Sequence, residues 1–298
     1  MKLRILLALL TLPALLTGCR IGPPARTATP GSPPVPTTAV PPPATTAAPS
    51  PTFTDTPGPT ATFTPQPGLA QPVTFQAEDG VELTGDLFPA PGGPAPAVLL
   101  MHQMGSNRQV WVEKGLVAWL TRSAPPADAA GPVWPERSGG PTFPVLIFDF
   151  RGHGDSQGQP GEMADFLSDA KAAYTFLSRQ PSVDPQRIVL IGASIGADAA
   201  VDICVDGCLG ALSLSPGGYL DVPYAQVVSE LALDNKPAWC IAAQGDPLPY
   251  QTCQDAGGAS YRFISYPDTA HGADLLQPGR LPEIGQVFLD FLKMLFAF

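Results

Sequence analysis

A mostly parallel β-sheet covered by helices on both faces is the fold that this sequence predicts, and two observations predict it. Short, almost wholly apolar runs recur along the chain at Ala97–His102, Val145–Phe150, Arg187–Ala193, Ala211–Ser215 and Ala238–Ala243. A strand of that composition has to be buried on both faces. Between these runs lie longer segments whose apolar residues recur with helical spacing, and alternation of the two is the pattern of an α/β architecture.

The elements follow in order. Val73–Gln76 and Val81–Phe88 read as a strand pair about the Asp79-Gly80 turn. After the run at 97–102 comes a helix over Gln109–Leu120, then a Pro/Gly-rich insertion, Thr121–Pro141. A helix that follows a strand runs back toward the strands' amino ends, so the insertion is expected on the face away from the chemistry of such sheets. Glu162–Arg179 is a long helix with Phe166, Ala170, Ala173 and Leu177 on one face. Ile195–Val205 is the next helix, and Pro216–Lys236 has room only for a loop and a helix. Helix Tyr250–Ala256, strand Tyr261–Tyr266 and a final helix over Pro282–Leu295 complete the domain, residues 73–298.

The preceding residues are of another kind. Lys2 and Arg4 open a positively charged start, and a mainly apolar stretch from Ile5 to Leu16 follows. It is shorter than the roughly 20 residues that a membrane-spanning helix needs. It ends in Leu16-Thr17-Gly18-Cys19, which resembles the lipobox of bacterial lipoproteins. That resemblance implies a signal peptide over 1–19, lipidation of Cys19, and anchoring at the extracytoplasmic face of a bacterial membrane. Residues 20–72 are rich in Pro, Thr, Ala, Ser and Gly. They have too little apolar surface to offset the entropy of ordering, so a disordered tether is expected. Fully extended, about fifty such residues reach roughly 150 Å.

Of the five cysteines, four remain after Cys19: Cys204, Cys208, Cys240 and Cys253. An even number in an exported chain points to two disulfides, with Cys204–Cys208 and Cys240–Cys253 the locally simplest of three pairings; four buried thiols are the alternative. No histidine lies near them in sequence, so a metal site is not expected, and nothing in the sequence calls for an organic cofactor. A net charge of −10 with no Lys/Arg cluster argues against a nucleic-acid partner.

Gly192-Ala193-Ser194-Ile195-Gly196 lies between a strand and a helix, the setting of a G-x-S-x-G nucleophile elbow. Small residues two positions either side let strand and helix approach, and the serine hydroxyl is presented at the helix N-terminus. Three further segments follow the same plan: Met101-His102-Gln103-Met104-Gly105, Asp149-Phe150-Arg151-Gly152-His153-Gly154-Asp155-Ser156, and the pair Asp246-Pro247 and His271-Gly272. Together these resemble the α/β-hydrolase superfamily, near its dienelactone-hydrolase-like and esterase-like bacterial members.

The resemblance implies an α/β-hydrolase fold without a large cap domain. It also implies a triad of Ser194 as nucleophile, His271 as general base and Asp246 as its orienting acid. The backbone N–H of Ile195, with that of Met104 or Gln103, would form the oxyanion hole. Gln103 stands where the family has a glycine, which leaves the donor of that loop open. Among the histidines, His102 and His153 lie in loop motifs after strands, whereas His271 follows the last strand. Asp221 and Asp268 are rivals for the acid, and Asp198 and Asp202 read as a polar helical face. Superfamily lids interrupt the segment after the 211–215 strand, which is short here. An open site rimmed by Tyr219 and Tyr224 is therefore expected. The function implied is an extracytoplasmic serine hydrolase acting on an ester-like bond of a small acyl substrate. The alternatives are a catalytically silent surface binding module and a serine aminopeptidase-type peptidase.

Overall fold

A computed structural model describes residues 69–298 apart from 221. The expected signal peptide, Cys19, the expected tether up to residue 68 and Asp221 lie outside the described residues. Eight strands form one sheet: β1 (Gln71–Gln76), β2 (Glu82–Phe88), β3 (Ala95–Met101), β4 (Val145–Phe148), β5 (Val183–Ala193), β6 (Cys208–Leu214), β7 (Ala238–Ala243) and β8 (Arg262–Tyr266). Their order is β1-β2-β4-β3-β5-β6-β7-β8. β1 and β2 pair antiparallel from Gln71↔Leu87 to Gln76↔Glu82, β2 pairs antiparallel with β4, and every later pairing is parallel.

The chain moves outward from β3 to β4 and then returns to place β5 on the other side of β3. That reversal opens a crevice at the carboxyl ends of β3 and β5, where α/β sheets bind their ligands. Both the Gln103 loop and Ser194 leave the sheet there, just past the register pair Met101↔Gly192.

Alternate residues of the central strands feed two cores. Leu99, Met101, Leu146, Phe148 and Leu190 face α3 (Met163–Ser178), α4 (Ile195–Asp202) and α5 (Tyr224–Leu233). Val98, Leu100, Ile147, Val189 and Ile191 face α2 (Leu116–Thr121) and α7 (Ile284–Phe296). The apolar runs are thus buried on both sides, as their composition requires.

Two expectations are corrected. The single helix over 109–120 is broken into α1 (Val110–Glu113) and α2, because Gly115 adopts a left-handed φ of 71°. The insertion does not gather at the strands' amino ends but runs as a strap along the α2–α7 flank. Trp134 stacks on Trp119 at 4.9 Å and meets Phe288 of α7 edge-on at 5.4 Å. Its indole N–H donates to the Lys114 carbonyl at 2.9 Å, and buried Arg137 donates to the carbonyls of Trp119, Leu120 and Pro141. Those carbonyls at the broken helix and its end attract the strap, and that signal has no sequence period.

Two disulfides join Cys204 to Cys208 and Cys240 to Cys253. The first closes the turn from α4 to β6. The second ties β7 to α6 (Pro247–Asp255), the helix that begins just after Asp246.

Candidate active site

The strand-to-helix elbow at Ser194 is built by two glycines. A Cβ on Gly192 would stand 1.8 Å from the Gly196 carbonyl oxygen, and one on Gly196 would stand 2.3 Å from that of Met101. With both side chains absent, strand and helix meet so closely that Ser194 is forced to φ 53° and ψ −117°. A non-glycine residue held there stores on the order of 1–3 kcal/mol, which the surrounding structure has to hold. Its N–H donates to the Leu214 carbonyl at 2.8 Å, locking the elbow onto β6.

Asp246 and His271 leave the neighbouring β7 and β8 at the same carboxyl edge. Nδ1 of His271 lies 2.7 Å from Oδ2 of Asp246. Asp246 is the residue before α6, whose first turn starts with Pro247, so the carboxylate is fixed at a helix start. Its rival Asp268 is committed elsewhere: it pairs with Arg280 and caps the Ala270 N–H at 2.9 Å.

The other two histidines hold loops. His102 is fully buried; Phe150 N–H donates to its Nε2 at 3.0 Å, while its Nδ1 faces the Gln103 carbonyl at 2.8 Å. Burial lowers its pKa to about 4, which keeps the ring neutral and able to accept that bond. His153 accepts from the Gly105 N–H at 3.1 Å through Nε2, and its Nδ1 meets the Arg151 carbonyl at 2.9 Å. With Gly105 engaged in that bond, the N–H groups of Gln103 and Met104 are the oxyanion candidates on this loop, and Ile195 opens α4. Among the described residues, no group of three or more His, Cys, Asp or Glu is placed to hold a metal.

No protein-family model matches the chain. An uncharacterised protein of Mycobacterium tuberculosis is 28% identical over 231 residues, which cover 70% of this chain and 75% of that protein. Among solved structures, the esterase Pf2001 of Pyrococcus furiosus superposes with a TM-score of 0.59 at 21% identity, covering 76% of this chain and 93% of its own. A dienelactone hydrolase of Anabaena variabilis superposes at 0.54 with 16% identity, covering 76% and 98%. The chain has the α/β-hydrolase fold.

Within that fold, several residues act in ways the sequence reading did not see. Gln103 acts as a clamp: its side-chain oxygen accepts the Ala273 N–H at 2.7 Å, joining the loop after β3 to the turn that carries His271. Gly272, at φ 57°, makes room for it, since a Cβ there would stand 2.3 Å from that oxygen. Asp198 is not part of a polar helical face. It is 2% exposed and accepts the N–H groups of Gly217, Gly218 and Tyr219. Burial raises its pKa to about 6 against those three donors. Asp202, partly buried on the same helix, is raised to about 7, again chiefly by burial. Tyr224 is no rim residue either. As the first residue of α5 it is 2% exposed and packs with Val227, Val228 and Leu231 in the core. Tyr219, the other member of the expected rim pair, is half-buried and tied through its N–H to Asp198.

The Asp149–Ser156 turn braces the fold at this edge of the sheet. Asp149 accepts the Arg108 and Asp155 N–H groups at 2.7 and 2.9 Å, and Gly154 leaves the space its carboxylate needs. Arg151 forks onto fully buried Asp169 with Nη2 at 2.7 Å and Nε at 3.0 Å, and onto Asp79 with Nη1 at 2.7 Å. Removing one member of such a pair strands a buried charge, at about 3–5 kcal/mol. Asp169→Ala is expected to lose that much in a urea unfolding curve; a loss under about 1 kcal/mol would show that Asp79 alone compensates.

Proposed function

We propose that this chain is a serine hydrolase that cleaves a carboxylic ester or a closely related acyl bond through an acyl-enzyme. The observation that carries the reading is a strained serine at the β5–α4 elbow on the same sheet edge as a His–carboxylate pair 2.7 Å apart. The esterase and dienelactone hydrolase that share the fold support a hydrolytic class.

In this reading Ser194 attacks the carbonyl carbon while its proton passes to His271, which then protonates the leaving group. Water repeats the sequence on the acyl-enzyme and returns Ser194 to its free form. Asp246 keeps the proton on Nδ1, so that Nε2 is the free base. Ile195 and the Gln103–Met104 segment supply the N–H groups for the oxyanion; one such donor is worth about 2.7–4 kcal/mol. The Gln103 clamp sets that segment relative to the His271 turn, so acceptor and base keep their spacing through the cycle.

We place the enzyme outside the cytoplasm, held by lipidated Cys19 through the tether over 20–72. The two disulfides support an oxidising compartment. Cys19→Ser is expected to move the protein from the membrane fraction to the soluble one.

A fluorophosphonate probe tests the chemistry. The native protein is expected to be labelled and Ser194→Ala not at all; equal labelling of the two would sink the assignment. p-Nitrophenyl esters of increasing length then define the acyl class, with a steep fall beyond short chains expected for a small carboxylesterase.

A further inference from the structure

The chain around Asp246 is fixed differently on its two sides. Before it, the N–H groups of Gln244 and Gly245 donate to the carbonyls of Tyr266 and Asp268 at the end of β8, each at 2.7 Å. After it comes α6, which has little of its own to hold it to the sheet. Of its nine residues only Pro249 and Cys253 are buried, and Leu248 is 54% exposed. Asp246 makes no side-chain cap to this helix, because its carboxylate goes to His271. A short helix depends on tertiary packing to keep its place, and α6 packs few side chains.

Its anchor is covalent. Cys253, about two helical turns past Asp246, is bonded to Cys240, and both residues are fully buried. Cys240 stands in the body of the sheet, in register with Ser213 of β6 and Phe263 of β8. The ring so closed has a sequence separation of 13 and contains Asp246. The Tyr261 phenol donates to the carbonyl of the same Cys253, reinforcing the one point where α6 is tied down. The other disulfide, Cys204–Cys208, closes a separation of only 4 at the far end of α4 and encloses neither Ser194, Asp246 nor His271.

We propose that Cys240 and Cys253 are positioning residues for the reaction: their disulfide fixes α6 and thereby holds the Asp246 carboxylate against Nδ1 of His271. This rests on the serine-hydrolase reading above, in which Asp246 keeps the base in its working tautomer. With α6 released, the carboxylate drifts from Nδ1. A misplacement of about 1 Å in such a constellation costs roughly a hundredfold in rate. The disulfide itself neither touches substrate nor exchanges a proton, so its effect falls on the chemical step rather than on binding.

Cys240→Ala/Cys253→Ala is expected to lower kcat on p-nitrophenyl acetate roughly thirty- to hundredfold with KM within about twofold, whereas Cys204→Ala/Cys208→Ala keeps kcat within about twofold. In an Asp246→Asn background, removing Cys240 and Cys253 is expected to cost no further rate, because both changes act through one contact. A second readout is independent of turnover. The proton between His271 Nδ1 and Asp246 is expected to resonate well downfield of the amides in the native protein and in the Cys204/Cys208 variant. In the Cys240/Cys253 variant it is expected to be lost to exchange with water. Cys240→Ala/Cys253→Met refills the space of the disulfide without the bond, and the same two losses are expected of it. Native kcat, or an unmoved downfield resonance, in either Cys240/Cys253 variant overturns the proposal. Failure of both to fold overturns it as well, since the bond then serves the whole fold rather than Asp246. A native protein that turns over no ester and takes no fluorophosphonate sinks the serine-hydrolase reading, and the resonance still decides whether the disulfide holds the Asp246–His271 pair together.

Discussion

Asp246→Asn is expected to lower kcat by about 10⁴-fold while the protein keeps its fold. Nδ1 of His271 lies 2.7 Å from Asp246 Oδ2, and an asparagine amide in that place can offer an N–H where the imidazole needs an acceptor. The ring would then carry its proton on Nε2 and present a donor to Ser194 instead of a base. Both partners are partly exposed, with side chains 38% and 17% accessible, so the variant strands no deeply buried charge and the melting temperature should hardly move. Loss of rate without loss of stability is the outcome that separates an orienting acid from a structural one. Asp268→Asn is the matched control. That carboxylate serves Arg280 and the Ala270 N–H, and its loss is expected to change kcat by no more than about twofold while lowering stability slightly. The reverse result, a large kcat loss in Asp268→Asn with little in Asp246→Asn, would transfer the role.

How far the sequence reached depended on whether a residue's role is local. Ser194 was legible because the elbow is a local problem: the two glycines, the strand and the helix all lie within a short stretch. The sheet was legible because each central strand is apolar on both faces, and the order of the sequence sets the order of the crossovers. Gly115 was missed because the apolar spacing of residues 109–120 continues across it. The left-handed φ of Gly115 breaks the helix there, and Trp134 of the strap packs against the glycine with its Nε1 3.3 Å from where a Cβ would stand. Asp198 and Asp202 read alike on a helical wheel. The loop that converts the first into a three-amide acceptor is brought to it only by the β6 crossover. Gln103 was visible as a departure from the family pattern, but its clamp partner Ala273 is 170 residues away in sequence. Tyr224 was placed on the rim because its loop leads there, yet α5 begins at that residue and turns the ring inward.

Gly192→Ala is expected to cost more than about 4 kcal/mol and to leave little cooperatively folded protein in a urea titration. The added methyl would stand 1.8 Å from the Gly196 oxygen, 2.2 Å from its carbonyl carbon and 2.7 Å from the Ala197 nitrogen. All three are backbone atoms of the first turn of α4, so no rotamer change relieves the clash. Nor can the helix retreat freely along its own axis. Gly196 is already pressed against the carbonyls of Met101 and His102 on its other side, and Gly192 itself is paired to Met101 of β3 and Ser213 of β6 in the middle of the sheet. Gly257→Ala is the control, since a Cβ there meets nothing within 4 Å, and a change within about 0.5 kcal/mol is expected. A modest loss at Gly192, comparable to that at Gly257, would mean that α4 can shift outward. In that case Ser194 should relax toward ordinary dihedrals, and fluorophosphonate labelling, the test of the proposed chemistry, should fall further than stability does. If the protein instead fails to fold, the geometry that presents Ser194 is the same geometry that closes β5 onto α4, and the strain at Ser194 is a consequence of packing that the fold cannot give up.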